Sequence, residues 1–222
     1  MTTVAIVENG PSLSPYFERA LESAGVDHVR ARVWRGAEFP TDFDACILTG
    51  DFHNITDGLR DYHRREIEFL EKLNGRKAFA SCFAHQLIAL AHGGRVSHRD
   101  RRLLRWEHVN LQGTHPLTRG MTGFDAVCLN VDEVADAPSG AALLGASEHC
   151  ACQVLAYGTG IVTCQAHPEM SVRRGQFLVN ALAIMLAGGP NAAYGDYRSS
   201  RPAAVPRQSE FMSEVIGWLI SG

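Results

Sequence analysis

The N-terminal part of the chain repeats one unit, a short apolar run followed by a helical pattern. The apolar runs Val4–Val7 and Ala45–Leu48 are typical of strands that are buried on both faces. Helical periodicity covers Leu13–Ala24 and Tyr62–Leu73, and a further strand is predicted near Val29–Val33. Strands that alternate with helices form parallel sheets, because a crossover helix returns the chain in the same direction. The pattern therefore predicts an α/β fold with a doubly wound, mostly parallel sheet flanked by helices.

The rhythm changes after Gly94. Shorter extended pieces are predicted around Trp106–Leu111, Ala126–Leu129 and Gln153–Tyr157, separated by turns rich in glycine, proline and aspartate. Such pieces favour a smaller antiparallel β addition to the main sheet.

The C-terminal part returns to helical patterns. One helix is predicted over Val172–Leu186 and a last one over Glu210–Ile220, with a polar segment between them. A chain of 222 residues suits one α/β domain of ordinary size. We expect residues 1–190 to form a catalytic domain and residues 191–222 to form an extension packed on it.

Cys82 stands where a short apolar stretch turns directly into the helical pattern Phe83–Ala91. A sharp strand-to-helix turn lifts the side chain above the sheet edge and aims the positive end of the helix dipole at the sulfur, which favours thiolate. Ligands of doubly wound sheets bind at this carboxyl edge. A lone cysteine is more often a small buried hydrophobe, so a nucleophile also needs a base and an orienting group.

His167 and Glu169 meet that requirement. Residues Gly160–Glu169 are predicted to form a β-branched strand whose end carries both residues, two positions apart, and extended backbone points both side chains to one side. The imidazole could take the thiol proton while Glu169 holds the other ring nitrogen and fixes the tautomer. Together with Cys82 they form a complete set for acyl transfer.

Two stretches carry a family resemblance. Residues 80–86 are Ala-Ser-Cys-Phe-Ala-His-Gln and residues 165–169 are Gln-Ala-His-Pro-Glu, and both resemble the signatures of the class I glutamine amidotransferases. The resemblance extends over roughly residues 1 to 185. It implies a Cys-His-Glu triad at Cys82, His167 and Glu169. Ala80 and Ala84 stand where the family normally has glycine.

The resemblance also implies further site residues. Backbone N–H groups at Gly50 and Phe83 would form the oxyanion hole, although Gly50 could be a simple turn glycine. Gln86, one helical turn beyond Cys82, would contact the head group of the substrate, although it could instead cap neighbouring backbone. Asn130 begins a segment that replaces substrate-contacting residues of the family, which indicates an altered substrate.

Three functions follow as alternatives. The favoured one is a glutaminase subunit that hydrolyses glutamine through a Cys82 thioester and passes ammonia to a separate synthase. The second is a stand-alone γ-glutamyl hydrolase or acyltransferase that acts on a different amide. The third is an inactive binding subunit, suggested by Ala80 and Ala84. None of the chemistry calls for a metal ion or an organic cofactor.

Composition and sequence patterns limit the expected partners and the expected location in the cell. A net charge of −3 gives no basic footprint for nucleic acid. We find no apolar stretch of about 18 residues that could cross a membrane, and the N-terminus has no secretory pattern. Six cysteines without a regular framework favour a reducing cytoplasm.

Other polar features receive structural interpretations. Arg99–Arg102 is interpreted as a solvated turn, and His53, His63 and His98 as surface residues. His149–Cys152 could supply metal ligands, but no second pair follows at zinc-site spacing, so no metal site is predicted.

One further arginine pair has two interpretations. Arg102 and Arg105 could form an anion site beside Trp106. Simple packing of these side chains is the commoner explanation.

Overall fold

The computed structural model describes residues 2–11, 14–171, 175, 199–202 and 208–221. The helices are α1 (Ser14–Ser23), α2 (Asp61–Glu71), α3 (Phe83–Ala91) and α4 (Gln208–Ile220). The strands are β1 (Thr3–Val7), β2 (Asp27–Ala31), β3 (Ala45–Leu48), β4 (Lys77–Ser81), β5 (Arg95–Leu111), β6 (Gly123–Asp136), β7 (Ala141–Ser147), β8 (Cys150–Tyr157) and β9 (Ile161–Cys164). Short 3₁₀ turns cover Val33–Arg35, Ile55–Asp57 and Pro116–Thr118.

All nine of these strands belong to one sheet, in the order β2-β1-β3-β4-β9-β8-β7-β5-β6. The strands from β2 to β9 in this order pair in parallel, whereas the pairs from β9 to β6 are antiparallel. The predicted α/β fold is therefore confirmed. The antiparallel part continues the same sheet and makes it a mixed one.

Helices cover both faces of the parallel half. Val4 of β1 lies in one core cluster with Phe17 of α1 and Phe211 of α4. The next residue, Ala5, lies in a second cluster with Phe69 of α2. Successive strand residues point to opposite faces, so a run that is buried on both sides must be apolar throughout.

Some element boundaries differ from the predictions. β2 ends at Ala31, and Val33 already lies in a 3₁₀ turn. The extended pieces predicted after Gly94 belong to much longer strands, because β5 has 17 residues and β6 has 14. The exposed N-terminal half of β5 is rich in charged residues and lacks the apolar alternation that marks a strand. The helix predicted over Val172–Leu186 lies almost entirely outside the described residues.

The hairpin formed by β5 and β6 curls back towards the parallel half. β6 is last in the sheet order, yet Val127 of β6 forms a bridge with His167, just beyond β9. The backbone N–H of His167 donates to the Val127 carbonyl at 2.9 Å. This return brings β6 beside the end of β4.

The terminal helix α4 is fixed to the sheet. Phe211 and Trp218 are buried in the same core cluster as β1, and the Lys77 ammonium donates to the Trp218 carbonyl at 3.0 Å and to the Ser221 carbonyl. The predicted domain boundary at residue 190 lies outside the part of the chain that is described. None of the helices in that part has the length and apolar content needed to cross a bilayer.

Candidate active site

Cys82 alone forms the turn between β4 and α3. Its backbone has φ 51° and ψ −108°, a combination that a side chain disfavours by about 1–3 kcal/mol. The turn is fixed by the Cys82 N–H, which donates to the Cys164 carbonyl of β9 at 2.8 Å. The side chain therefore sits at the N-terminus of α3, at the carboxyl edge of the parallel sheet.

Ala80 and Ala84 fit their positions without backbone strain. Both are fully buried. Among the described residues other than glycine, only Asn74 and Cys82 have positive φ. Neither alanine therefore needs a backbone conformation that only glycine adopts readily.

His167 is held between Glu169 and the thiol. Its Nδ1 lies 2.8 Å from Glu169 Oε1, and both side chains are almost completely buried. A proton on Nδ1 that is donated to Glu169 leaves Nε2 as the acceptor for the proton of Cys82, and both residues line one cleft. The three predicted triad residues are thus brought together in one buried chain of contacts.

Charge dominates the protonation of His167. Burial by itself lowers the pKa of the imidazole, but the charges of Glu169 and Cys82, together with hydrogen bonds to both, raise the pKa to about 10. The environment therefore favours the imidazolium form of His167.

Gln165 is a further contact of the sulfur for which no role is predicted from the sequence. Its Nε2 donates to Cys82 Sγ at 3.8 Å, and its Oε1 accepts from Gln86 Nε2 at 3.1 Å. The predicted strand over Gly160–Glu169 is wrong beyond Cys164, because β9 ends there and the chain continues through a bend to a turn at residues 168–169. Gln165 and His167 therefore reach the thiol from this bent segment.

Gln86 and Asn130 meet at one backbone carbonyl. Gln86 Nε2 donates to the Asp132 carbonyl at 2.7 Å and Asn130 Nδ2 donates to the same oxygen at 2.9 Å. Gln86 thus bonds to the backbone of β6 rather than to its own helix. Asn130 Oδ1 is buried and has no hydrogen-bond partner in the described part of the chain, which leaves it available as an acceptor.

A narrow cleft opens above the thiol. It offers about 30 Å³ of room, which accommodates a water molecule rather than an amino acid, since a single water needs roughly 10–15 Å³. The lining residues are Asp51, Phe52, His53, Asn54, Cys82, Phe83, Gln86, Arg102, Leu129, Asn130, Val131, Asp132 and His167.

The loop after β3 faces this cleft. Gly50 is buried directly after the strand, and Asp51 follows at the lining. Asp51 accepts from Tyr62 Oη at 2.8 Å, from His63 Nε2 at 3.3 Å and from the His53 N–H at 3.3 Å. Burial raises the pKa of Asp51, but these hydrogen bonds outweigh it and lower the pKa overall. The Asp51 carboxylate therefore holds the loop against α2.

The prediction that His63 is a surface residue is wrong, because its side chain is fully buried. His63 Nδ1 accepts from the Arg60 N–H at 3.2 Å, so the neutral ring carries its proton on Nε2 and donates it to Asp51. Burial lowers the pKa of His63 and maintains this neutral form. The helical pattern of α2 does not reveal a polar pair buried against a distant loop.

A second buried network supports the same loop from behind. The Asn9 N–H donates to Thr49 Oγ1 at 3.1 Å, and Asn9 Nδ2 donates to the Thr49 carbonyl at 3.0 Å and to Glu66 Oε1 at 2.9 Å. Burial raises the pKa of Glu66 to about 8. Glu66 is thus a neutral acid at pH 7, one residue layer behind Gly50.

Three further sequence interpretations concern residues in or near the cleft. The prediction of a solvated turn at Arg99–Arg102 is wrong, because these residues lie within β5 and Arg102 lines the cleft. His53 also lines the cleft. His98 is exposed, and its Nδ1 lies 2.9 Å from Asp132 Oδ1.

Comparisons with known proteins agree with this geometry. The family model "Glutamine amidotransferase class-I" matches residues 5–186. One of the subunits of the glutamine-hydrolyzing GMP synthase from Sulfolobus acidocaldarius is 26% identical over 169 residues, which cover 75% of this chain and 89% of that protein. Gamma-glutamyl peptidase 3 from Arabidopsis thaliana is 27% identical over 141 residues, or 57% of this chain and 55% of that protein.

The fold has a solved counterpart. The crystal structure of a glutamine amido transferase from Methylobacillus flagellatus matches 99% of this chain and 94% of its own, with a TM-score of 0.81 and 18% identity. The mixed sheet flanked by helices is therefore an architecture that this structure shares.

Proposed function

Because the chain belongs to the class I glutamine amidotransferase family, we propose that it hydrolyses a γ-glutamyl amide through a thioester on Cys82. The observation that carries this proposal is the contact chain at the cleft base. Cys82 and His167 line one cleft, the charge of Cys82 helps to raise the pKa of His167, and Glu169 holds the His167 Nδ1 atom at 2.8 Å. A nucleophile, a base and an orienting group are the parts that acyl transfer needs.

The first half of the reaction forms the thioester. The Cys82 thiolate attacks the γ-carbonyl carbon, and the N–H groups of Gly50 and Phe83 hold the oxyanion, each contributing about 3–4 kcal/mol. His167 then gives its proton to the departing nitrogen as the C–N bond breaks. With glutamine as substrate the leaving group is ammonia.

The second half regenerates the enzyme. Water gives a proton to His167 and attacks the thioester carbonyl, the C–S bond breaks, and glutamate leaves. Glu169 stabilises the imidazolium that forms in each half. These steps use only side chains and backbone groups of the chain itself.

Recognition of the glutamyl head group is assigned to Gln86 and Asn130. Both line the cleft, and the partner-free Asn130 Oδ1 is an acceptor that suits the α-ammonium group. Filling this acceptor would remove the cost of leaving a buried polar atom unpaired, which is typically about 1–3 kcal/mol.

The relatives support two candidate functions, which differ in whether a second protein uses the departing group. The likeness to a subunit of a glutamine-hydrolyzing GMP synthase supports glutamine as the substrate and a separate synthase as the acceptor of ammonia. The likeness to a gamma-glutamyl peptidase supports the second candidate, a stand-alone γ-glutamyl hydrolase. A partner that stimulates glutamine hydrolysis would favour the first, and efficient turnover without a partner would favour the second.

Intact-protein mass spectrometry tests the chemistry. The wild-type chain is incubated briefly with glutamine and with a panel of γ-glutamyl amides, and free glutamate is measured in parallel. We expect a glutamyl adduct that Cys82→Ala abolishes and that the control Cys46→Ala retains, since Cys46 is a buried core thiol of β3. An inactive binding protein would give neither an adduct nor glutamate.

A further inference from the structure

Arg102 reaches the cleft because β5 loses register with β6. His98 pairs with Asp132, but the next pair joins Leu103 to Asn130. The four residues Arg99–Arg102 of β5 therefore lie opposite a single residue of β6, Val131. Bulges of this kind bend a strand and re-aim its side chains, and they are over-represented next to active sites.

The bulge is anchored on its N-terminal side. Arg99 bonds to the Glu133 carboxylate and to the His149 carbonyl. His98 bonds to Asp132 at 2.9 Å, and the Thr56 N–H donates to Asp132 at 2.8 Å. Arg102 is therefore presented from a fixed piece of backbone.

Arg102 is a cation without a carboxylate partner in the described part of the chain. Three other arginines of β5 are paired with carboxylates: Arg95 with Asp136, Arg99 with Glu133 and Arg105 with Glu107. No described ion pair involves Arg102, whose side chain lies at the exposed rim of the cleft that contains Cys82. Loss of water lowers the pKa of its guanidinium, and the charge of Cys82 opposes this.

A second cation already serves Cys82. The charge of Cys82 helps to raise the pKa of His167, and both residues line the cleft, so the guanidinium remains available for another anion. Arginine is suited to carboxylates, since its planar fork can donate two parallel hydrogen bonds. A γ-glutamyl substrate always brings an α-carboxylate, and a γ-glutamyl amino acid brings a second one on its leaving group.

We propose that Arg102 binds a carboxylate of the γ-glutamyl substrate and thereby selects among γ-glutamyl compounds. This inference rests on the proposed function, since it assumes that the cleft accepts such a compound. Arg102 is a binding residue here and takes no part in bond breaking.

Two substrate pairs distinguish the two carboxylates. Glutamine is compared with glutamine α-amide, and γ-glutamylglycine with its C-terminal amide. We expect Arg102→Gln to lower kcat/KM about ten- to hundredfold, mainly through KM, for the acid in one pair but not for its amide. The affected pair identifies the carboxylate. Arg102→Lys should retain part of the activity, and the exposed control Arg95→Gln should match the wild type.

Equal loss on all four compounds would overturn the proposal, because Arg102 would then act on the thiolate or on the fold. An unchanged kcat/KM for all four would overturn it as well.

Binding provides a readout without turnover. Calorimetry compares Cys82→Ala with the double variant that also carries Arg102→Gln. The double variant should bind γ-glutamylglycine at least tenfold more weakly. If the wild type releases no glutamate yet this difference is seen, the proposed function fails and the carboxylate site stands. If the two proteins bind equally, the carboxylate site fails.

Discussion

Replacing Glu66 by glutamine is expected to stabilise the folded chain, and more so at high pH than at low pH. Glu66 is fully buried on α2, and its only described hydrogen bond comes from Asn9 Nδ2 to Oε1. The glutamine side chain would retain an oxygen for that bond. Its NH₂ would take the place of the Oε2 atom, which has no partner among the described residues. The substitution thus removes the ionisable proton and preserves the shape.

The magnitude follows from the raised pKa. The pKa of Glu66 is about 8 in the folded chain against 4.5 in an unperturbed glutamate. Between these values the unfolded chain releases the proton and the folded chain retains it. Stability therefore falls by about 1.4 kcal/mol per pH unit as pH rises through this window. The penalty is near zero at pH 4.5, roughly 3 kcal/mol at pH 7 and about 4–5 kcal/mol above pH 8.

Urea unfolding at pH 5, 7 and 9 measures this effect. The free energy of unfolding of Glu66→Gln should exceed that of the wild type by a margin that widens at each step. Glu68→Gln is the matched control, since Glu68 is an exposed residue of the same helix. A margin that stays constant from pH 5 to pH 9, or that narrows, would refute the assignment of a neutral buried acid.

Three further predictions concern other parts of the molecule. Glu169→Gln removes the charge that raises the pKa of His167, so the fall of kcat/KM at alkaline pH should move to lower pH, with a loss at pH 8 of roughly 10²- to 10⁴-fold; an unshifted profile would contradict this. Lys77→Met removes the donor to the carbonyl groups at the end of α4 and should lower the free energy of unfolding in urea by about 1 kcal/mol. An unchanged midpoint would show that these hydrogen bonds are dispensable. Gly10→Ala places a Cβ 2.6 Å from Asp51 Oδ1 and 3.0 Å from the Asp51 Cα, so the loop after β3 must shift. We expect a larger proportional fall in kcat than in the free energy of unfolding, and an unchanged kcat would show that this loop does not position the oxyanion donors.

Local patterns were sufficient for the parallel half of the fold. β3 is an unbroken apolar run, and the helical pattern of α3 begins directly after Cys82, so both were predicted with their observed bounds. The pairing of His167 with Glu169 was predicted from their spacing, although a turn at residues 168–169, rather than extended backbone, brings the two side chains together. In each case the information lies within a few neighbouring residues.

Features that depend on distant pairing were not predicted. His63 on α2 is buried because Asp51, on the loop after β3, accepts a hydrogen bond from its ring. The sequence around either residue does not specify the other. Arg102 reaches the cleft through a register shift between β5 and β6, which is a property of two strands together. The charged half of β5 resembles a loop in isolation, since its exposed side chains carry no apolar alternation.

The bridge between Val127 and His167 divides the molecule by task. The nucleophile belongs to β4 and α3, whereas Asn130, Asp132 and Arg102 all belong to the β5–β6 hairpin, which returns to the parallel half at that bridge. Residues 95–136 thus form a cassette that could be exchanged between related chains. A graft that preserves the bridge would bring the Asn130 and Arg102 contacts into a new host, whereas the position of Gln86 would still be supplied by the host's own α3.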